Sequence, residues 1–284
     1  MTGSSAAAAR RPRRLVLGLA GACHPAPALV VTTVSVLLAA GVGLSTGRVA
    51  LLGLAVLTGQ LSIGWSNDRI DAARDRATGQ ADKPAATGRV PVEAVAAAAG
   101  LALVSTVVLS LLLGPLAGAV ALAGVAMGWA YNLGLKATVW SGATYLLAFA
   151  TVPTVPYLAL PGHPWPPWWA PVAGALLGFG AHFANVLPDL RDDAATGVRG
   201  LPQRLGPRAG VVVMACALAA ASVVLGFGPA AASLAFALTA SAVGIAGAAA
   251  ATVAAVVAPE SPVAFRITMA MAVVDVGMLI AAIA

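Results

Sequence analysis

Residues 65–90 read "WSNDRIDAARDRATGQADKPAATGRV" and interrupt an otherwise apolar chain. Four of the ten acidic residues of the protein fall between positions 68 and 82, at the end of an apolar segment long enough to cross a membrane. Carboxylates close to a bilayer are energetically costly and usually serve a function. The stretch therefore predicts a polar site at one end of a membrane helix.

The composition of the whole chain is that of an integral membrane protein. Of its 284 residues, 60% are hydrophobic and only 9% are charged, whereas about a quarter of the residues in a soluble domain are charged. A helix needs roughly 20 apolar residues to cross a bilayer. Nine stretches of about that length are present, at about 24–45, 48–68, 91–113, 115–133, 137–160, 168–189, 208–226, 229–257 and 263–283. We therefore predict an all-α, multi-span membrane bundle that forms a single domain over residues 1–284.

The basic residues predict how this bundle is oriented. If the N-terminus lies in the cytoplasm and nine helices span, fifteen of the sixteen Lys and Arg residues face inward, and only Arg48 faces outward. Such a bias follows the positive-inside rule. It predicts a cytoplasmic-membrane protein with a basic cytoplasmic tail at residues 1–14 and with its acidic stretch on the cytoplasmic side. The net charge of +6 then reflects orientation and requires no nucleic-acid partner.

The acidic stretch occurs twice in the chain. Shifting residues 67–88 by 118 positions places them on residues 185–206, with eight identities in 22 positions and no gap. The match predicts an internal duplication with four helices in each half and a ninth helix added at the end. Because the second helix of each half would run in the same direction, the halves would be related by an axis along the membrane normal. The two acidic clusters would then face each other across that axis.

The spacing within each copy predicts a metal site. The two trios have a regular spacing of four residues, and they are Asn67, Asp71 and Asp75, and Asn185, Asp189 and Asp193. Residues four apart share one face of a helix. Carboxylate and amide oxygens without Cys or His suit Mg²⁺, which often binds one or two carboxylates together with substrate phosphates. The alternative is a solvated face on which acids pair weakly with nearby arginines, but the repetition of the trio and the scarcity of acids elsewhere favour the metal site.

These motifs resemble those of the UbiA superfamily of intramembrane prenyltransferases. "NDRIDAARD" at 67–75 matches the NDxxDxxxD motif of that family, and "DLRDD" at 189–193 matches its second DxxxD motif. The resemblance extends to the segments "DKPAATG" at 82–88, "YNLGLK" at 131–136 and "GVRGLPQRLG" at 197–206. After the fourth helix this chain has only "YNLGLKATVWSG" where many members carry a longer, Pro-rich and basic signature. The departure leaves the phosphate contacts of that segment and the identity of the acceptor open.

The resemblance implies specific roles for individual residues. Those implied to bind diphosphate through Mg²⁺ are Asn67, Asp68, Asp71, Asp75, Asp189 and Asp193, and Asn185 completes the repeated trio. Lys136, together with Tyr131, is implied to contact the phosphates of the substrate. Lys136 is the one charged residue in its predicted loop.

Three further basic residues are candidates for stabilising a leaving diphosphate. Arg74, Arg191 and Lys83 lie close to the acidic motifs, and Arg can bind phosphate through two parallel hydrogen bonds. Each of them is equally accounted for by orientation, because a cytoplasmic loop of a membrane protein is expected to be basic.

The resemblance implies transfer of an isoprenyl group from an allylic diphosphate to an aromatic or lipid-like acceptor, with release of diphosphate. A second hypothesis is a terpene cyclase, in which the same ionisation is followed by attack from a double bond of the same isoprenoid chain. A third is a transporter, whose acids should lie in mid-span, and Asp275 in the ninth predicted helix is the one acid that fits. The small number of aromatic residues, six Phe, six Trp and three Tyr, favours transfer over cyclisation. Nothing in the sequence addresses the oligomeric state.

Overall fold

A computed structural model describes residues 15–80, 83–230 and 232–283. The predicted basic tail at 1–14 lies outside the described residues. The described residues contain no β-strand, as the all-α prediction requires. The α-helices are α1 Leu15–Ala22, α2 Pro25–Gly41, α3 Thr46–Ala77, α4 Val92–Leu112, α5 Pro115–Leu133, α6 Ser141–Leu158, α7 Trp169–Val186, α8 Leu190–Ala195, α9 Leu201–Phe227, α10 Leu234–Val257 and α11 Val263–Ile283. Short 3₁₀ turns cover Leu135–Ala137 and Leu187–Asp189.

Each predicted span coincides with one of the long helices of the described chain. The largest differences are at α3, which continues to Ala77 rather than ending near residue 68, and at α9, which begins at Leu201 rather than near residue 208. Helix α9 is kinked at Gly206, where φ is 78° and Pro207 follows. By length and hydropathy, six of the described helices can cross a membrane, and α1 with α2 would be a seventh despite the 67° bend between them. The multi-span bundle is therefore confirmed, and the number nine remains a prediction.

Helix boundaries follow from glycine and proline. Gly114 adopts a φ of 117° directly before Pro115, the first residue of α5, and a positive φ is accessible to glycine without the steric cost that a Cβ would add. Gly134, with a φ of 147°, ends the same helix. Pro is well suited to the first turn of a helix because its missing N–H has no intrahelical partner there. The turn after Gly134 carries Lys136.

The helices pack in chain order as a closed ring. Each long helix from α2 to α11 packs on its neighbour in the sequence, α7 packs directly on α9, and α11 returns to pack against α2. Small residues line many of these contacts, as in close-packed membrane bundles. One example is Gly124 on α5, where an added Cβ would collide with the side chain of Thr151 on α6.

Helix α3 is longer than a bilayer requires, and this length positions the first acidic motif. Its 32 residues correspond to about 48 Å at 1.5 Å per residue, against a hydrocarbon thickness of about 30 Å. Its last turns, which carry Asn67 to Asp75, therefore project beyond the apolar part of the bundle. We call this end of the bundle the acidic end.

Candidate active site

The first acidic cluster lies on one face of the final turns of α3. Asn67 Nδ2 donates a hydrogen bond of 3.0 Å to Asp71 Oδ2. Asp71 and Asp75 are both buried, with 5% and 3% of their surface exposed. Asp75 Oδ2 is buried and has no hydrogen-bond partner among the described residues. The spacing of four residues thus produces the predicted stack of oxygen-bearing side chains.

The second acidic cluster has a different backbone from the first. Asn185 lies in the last turn of α7, Asp189 ends a 3₁₀ turn, and Asp193 lies on the short helix α8. Pro188, which lacks an N–H, falls in this 3₁₀ turn. The second trio therefore does not lie on one continuous α-helix as the first does, although the spacing in the sequence is identical. Asp193 Oδ2 accepts a hydrogen bond of 2.7 Å from Gln203 Nε2 on α9.

Arg74 connects the two clusters. Its guanidinium lies 3.1 Å from Asp71 Oδ2, 3.5 Å from Asp75 Oδ1 and 4.0 Å from Asp193 Oδ1. The side chain retains 28% exposure. From the sequence alone, a site role for Arg74 could not be preferred over an orientation role, and the structure places it between both sets of carboxylates.

Lys136 joins the first cluster from the turn that follows α5. Its Nζ forms an ion pair with Asp71 Oδ1, and only 12% of its side chain is exposed. Burial lowers the pKa of Lys136, and the neighbouring carboxylate of Asp71 opposes that effect. A cation so placed can contact an anionic ligand that enters between the clusters.

Asn132 was not identified as a site residue from the sequence. It is 3% exposed, its Nδ2 donates to Ile63 O at 2.9 Å and to Ser66 Oγ at 2.8 Å, and its Oδ1 accepts from Asn67 Nδ2 at 3.2 Å. It therefore ties α5 to α3 and orients Asn67. The sequence feature that could have identified Asn132 is its polar amide side chain, which stands next to Tyr131 at the end of an apolar helix.

An aromatic group borders the second cluster. The ring of Tyr131 lies edge-on to Tyr145, with centroids 5.2 Å apart, and to His182, at 5.7 Å. The ring of Tyr145 also lies 4.7 Å from that of His182 between centroids, and His182 Nε2 lies 3.1 Å from Ser141 Oγ. Tyr145 is a site residue that the sequence motifs did not indicate.

One cavity of about 350 Å³ contains both clusters. Ten of the twelve residues predicted for the site line it, namely Asn67, Asp71, Arg74, Asp75, Lys83, Tyr131, Lys136, Asn185, Asp189 and Asp193. Away from the acidic end the lining becomes mostly apolar and extends along α3 to Leu52, about 35 Å from Asp75 at 1.5 Å per residue. The cavity thus combines a charged end with a long apolar interior.

The other two predicted residues do not line this cavity. Asp68 is 1% exposed and points at the segment that follows α3, where its Oδ2 accepts a hydrogen bond of 3.1 Å from the Ala85 backbone N–H. One residue further along a helix is rotated by about 100°, so Asp68 cannot share the face of Asn67. The side chain of Arg191 is 88% exposed and pairs with Glu260. Asp68 and Arg191 therefore lie outside this cavity, and their predicted roles in the site stay predictions.

The carboxylates that line the cavity fit a hydrated or phosphate-bound Mg²⁺. No group of three His, Cys, Asp or Glu residues in the described part of the chain could hold a metal ion by itself. Mg²⁺ characteristically takes one or two carboxylates and completes its shell with water and substrate phosphates. The unpartnered Oδ2 of Asp75, on a side chain that lines the cavity, is an oxygen of the required kind.

Comparison with known structures places this architecture among UbiA homologues. A UbiA homologue from Archaeoglobus fulgidus bound to GPP and Mg²⁺ is similar with a TM-score of 0.74 at 16% identity, covering 94% of this chain and 99% of that one. An apo UbiA homologue from Aeropyrum pernix K1 gives a TM-score of 0.73 at 18% identity, covering 91% and 97%. A digeranylgeranylglyceryl phosphate synthase structure gives 0.64 at 14% identity, covering 94% and 96%. At these identities the likeness is one of fold.

The sequence comparisons bear on the family. No curated protein matches the chain. A model of the UbiA prenyltransferase family matches residues 28–274, a range that includes both acidic motifs and Lys136. With this match over most of its length, and as its motifs predicted, the chain belongs to the UbiA prenyltransferase family.

Proposed function

We propose that this protein is a Mg²⁺-dependent intramembrane prenyltransferase that binds an allylic isoprenyl diphosphate and transfers its isoprenyl group to an acceptor. The observation that carries this proposal is the single cavity in which carboxylates and cations occupy one end and apolar side chains line the rest. A diphosphate with a hydrocarbon tail has the same division of polarity. The structures of Archaeoglobus fulgidus homologues bound to GPP and Mg²⁺ and to DMAPP and Mg²⁺ support the choice of substrate and metal.

Four carboxylates are the ligands we assign to Mg²⁺, and they are Asp71, Asp75, Asp189 and Asp193. When bound, Mg²⁺ supplies neutralisation of the negative charge that develops on the leaving diphosphate. The hydrogen bonds from Asn67 to Asn132 and from Asn67 to Asp71 hold the first of these carboxylates in place. Fixed ligands of this kind lower the reorganisation that the site must undergo when the substrate binds.

Lys136 and Arg74 are the cations we assign to the phosphate oxygens. Both are already held against Asp71, so they lie next to the position where the metal and the diphosphate would meet. Hydrogen-bond donors placed where charge develops contribute strongly because the site is shielded from water. Each side chain would exchange part of its contact with Asp71 for a phosphate oxygen.

The reaction we propose begins with cleavage of the bond between carbon 1 of the isoprenyl group and the diphosphate oxygen. The electron pair leaves with the diphosphate, and carbon 1 becomes an allylic cation. A nucleophilic atom of the acceptor then forms a bond to carbon 1, and the acceptor loses a proton. Apolar side chains such as Val56 and Val155 line the cavity away from the charged end, and they would keep water from capturing the cation.

Cyclisation is the second candidate for the fate of the cation. The structure places Tyr131, Tyr145 and Phe149 on the cavity wall, and aromatic faces can stabilise a cation. The small number of aromatic residues in the sequence therefore does not by itself argue against a cyclase. Products formed from an isoprenyl diphosphate without any acceptor distinguish the two reactions.

We also propose that the acidic end faces the cytoplasm. The distribution of Lys and Arg supports this orientation, as does the location of Arg74, Lys83 and Lys136 at the acidic end. A cysteine-accessibility measurement on intact cells at an exposed position such as Thr87 would test it.

The central test compares Asp71→Ala and Asp189→Ala with wild-type protein in liposomes. With geranyl diphosphate and Mg²⁺, each substitution should lower diphosphate release by at least about 10²-fold, the range found when a group that stabilises developing charge is removed. Glu93→Ala is the matched control, since Glu93 is an acid in the first turn of α4 and does not line the cavity. Wild-type turnover in both Asp variants would refute the metal assignment. Mass spectrometry of the products, with and without candidate acceptors, separates transfer from cyclisation.

A further inference from the structure

A second cavity adjoins the first and is almost entirely apolar. It has a volume of about 160 Å³ and lies between α2, α6, α7 and α11. Its two hydroxyl-bearing residues are Thr268 and Tyr157, and Thr268 Oγ1 donates its hydrogen bond to Ala264 O within α11. A cavity with so few available polar groups cannot hold ordered water well, so its lining suits a hydrocarbon chain.

The second cavity begins next to the second acidic cluster. Ala181, which lines both cavities, lies one helical turn before Asn185 on α7. From there the cavity follows α7 back to Trp169, a distance of about 18 Å along the helix. Helix α11 borders it from Phe265 to Ile280, about 22 Å. The cavity is therefore elongated and leads away from the acidic end.

A wall of six residues is shared by the two cavities, and it consists of Pro27, Val31, Phe149, Val152, Ala181 and Phe265. Phe149 is the best-fixed member of this wall. Its ring stacks on Tyr145, with centroids 6.1 Å apart and an interplanar angle of 7°. It also packs on Gly178, where an added Cβ would collide with Phe149. Since Tyr145 also lies edge-on to Tyr131, which lines the first cavity beside the acidic clusters, the wall is connected to the site itself.

In the function proposed above, the first cavity holds the isoprenyl tail of the donor. The face of α3 that carries Asp75 and Asp71 continues through Gln60 and Val56 to Leu52, and all five residues line the first cavity. A tail attached to a diphosphate at the acidic end can extend along this face without crossing the wall at Phe149. The second cavity is then left for a different apolar chain.

We propose that the second cavity binds the apolar chain of the acceptor, so that the acceptor is a lipid-like molecule rather than a small polar one. This inference rests on the prenyltransferase function proposed above and identifies the class of the second substrate. An acceptor chain that lies along α7 and α11 places its head group at the wall shared with the first cavity, beside the position of carbon 1 of the donor. The two hydrocarbon chains then occupy separate cavities, and only their reactive ends meet.

Photolabelling tests this proposal without requiring turnover. The probe is 4-dodecylphenol with a diazirine at the end of its alkyl chain, added to the purified full-length chain in liposomes. We expect adducts on residues of α2, α7 or α11 that line the second cavity, and little labelling by a 4-ethylphenol diazirine of the same head group. Equal labelling by the short probe would overturn the proposal, because the alkyl chain would then contribute nothing.

Two substitutions that fill the second cavity provide the variants. Ala272→Phe on α11 and Val30→Phe on α2 both add volume to its lining. Each should lower labelling by about tenfold, equivalent to about 1.4 kcal/mol of binding. Affinity for geranylgeranyl thiolodiphosphate with Mg²⁺ reports that each variant is folded and should remain within about twofold of wild type, a difference of less than about 0.5 kcal/mol. Labelling that persists in both folded variants would overturn the proposal.

One competitor and one further photolabel identify other occupants. Displacement of the long probe by geranylgeranyl thiolodiphosphate would show that the donor tail uses the second cavity, and a phospholipid diazirine that labels the same residues equally would show a site for membrane lipid. Either result overturns the assignment to the acceptor. If wild-type protein does not bind geranylgeranyl thiolodiphosphate at all, the proposed prenyltransferase function is refuted instead. A failure of the acceptor assignment and a failure of the proposed function therefore give different results.

Discussion

Replacement of Asp75 by Asn should make the ligand-free protein more stable and prevent it from binding its substrate. Asp75 is 3% exposed and its Oδ2 has no hydrogen-bond partner among the described residues. A buried polar group left without a partner costs about 1–3 kcal/mol, and more if it is charged. The amide side chain introduced by Asp75→Asn would keep the volume and remove the charge, together with its repulsion from nearby Asp71.

The stabilisation is reduced by one lost contact. Asp75 Oδ1 lies 3.5 Å from Arg74 Nε, and the Arg74 side chain is 28% exposed. Ion pairs of this partly exposed kind contribute about 0.2–1 kcal/mol. The Asn amide still leaves a polar atom without a partner at this position, so the gain comes only from removing the buried charge. Because an unpartnered buried charge costs more than this ion pair contributes, the net gain should be about 1–2 kcal/mol. For a chain of this length, 1 kcal/mol corresponds to about 2 °C in Tm, so the expected rise is about 2–4 °C.

The assay is thermal unfolding of the purified protein in detergent, with EDTA or with Mg²⁺ and geranyl thiolodiphosphate. Asp75→Asn should unfold at a higher temperature than wild type in EDTA and should lose the further rise in Tm that the ligand gives to wild type. Glu93→Gln, a charge-removing change at an exposed acid outside the cavity, should alter neither quantity. If Asp75→Asn unfolds at a lower temperature than wild type in EDTA and still gains the full rise in Tm from Mg²⁺ and geranyl thiolodiphosphate, the reasoning is refuted. Asp75 would then neither bind the metal nor cost the ligand-free protein stability.

Three other predictions concern the same site. Lys136→Met should lower kcat/KM for geranyl diphosphate by about 10²–10³-fold, the range for a lost donor to developing charge, and Lys136→Arg should restore part of it. Equal rates for the Met and Arg variants would contradict a role for the charge. Asn132→Leu should lower kcat/KM by about tenfold, because each lost hydrogen bond to a positioned group is worth about 1 kcal/mol, and should leave Mg²⁺ dependence intact; an unchanged rate would show that Asn67 needs no support from α5. EDTA should stop diphosphate release and excess Mg²⁺ should restore it, whereas release that continues in EDTA would exclude the metal-dependent mechanism.

Sequence patterns were sufficient for the fold class and the family. Long apolar stretches can satisfy their backbone hydrogen bonds in a membrane only as helices or closed barrels, and the lengths of these stretches favour helices. The acidic motifs of α3 and of the α7–α8 region then identified the family, which the family match confirmed. These properties are local, because composition, length and spacing are read along one segment at a time.

The roles of individual charged residues depended on tertiary structure. Arg74 and Arg191 are equivalent by sequence, each lying within an acidic motif, but Arg74 lies between the two clusters and Arg191 pairs with Glu260 at the surface. Asp68 belongs to the first motif by sequence, yet it holds the Ala85 backbone N–H instead of facing the cavity. Which side of a helix faces a cavity depends on the helices packed against it.

The order of residues along the chain was enough to establish a helical membrane bundle that carries two copies of an acidic motif typical of the UbiA family. Helix packing was needed to show that Asn132 on α5, Lys136 in the turn after it and Tyr145 on α6 lie beside those motifs. It was also needed to show that a second cavity, which is apolar, lies behind Phe149. The spacing of hydrophobic residues and the Gly and Pro residues at helix ends act over a few turns, so the positions of the helices can be predicted from one segment at a time. The cavities, in contrast, are formed by side chains separated by more than a hundred residues, and their positions are set by how closely small residues allow the helices to approach.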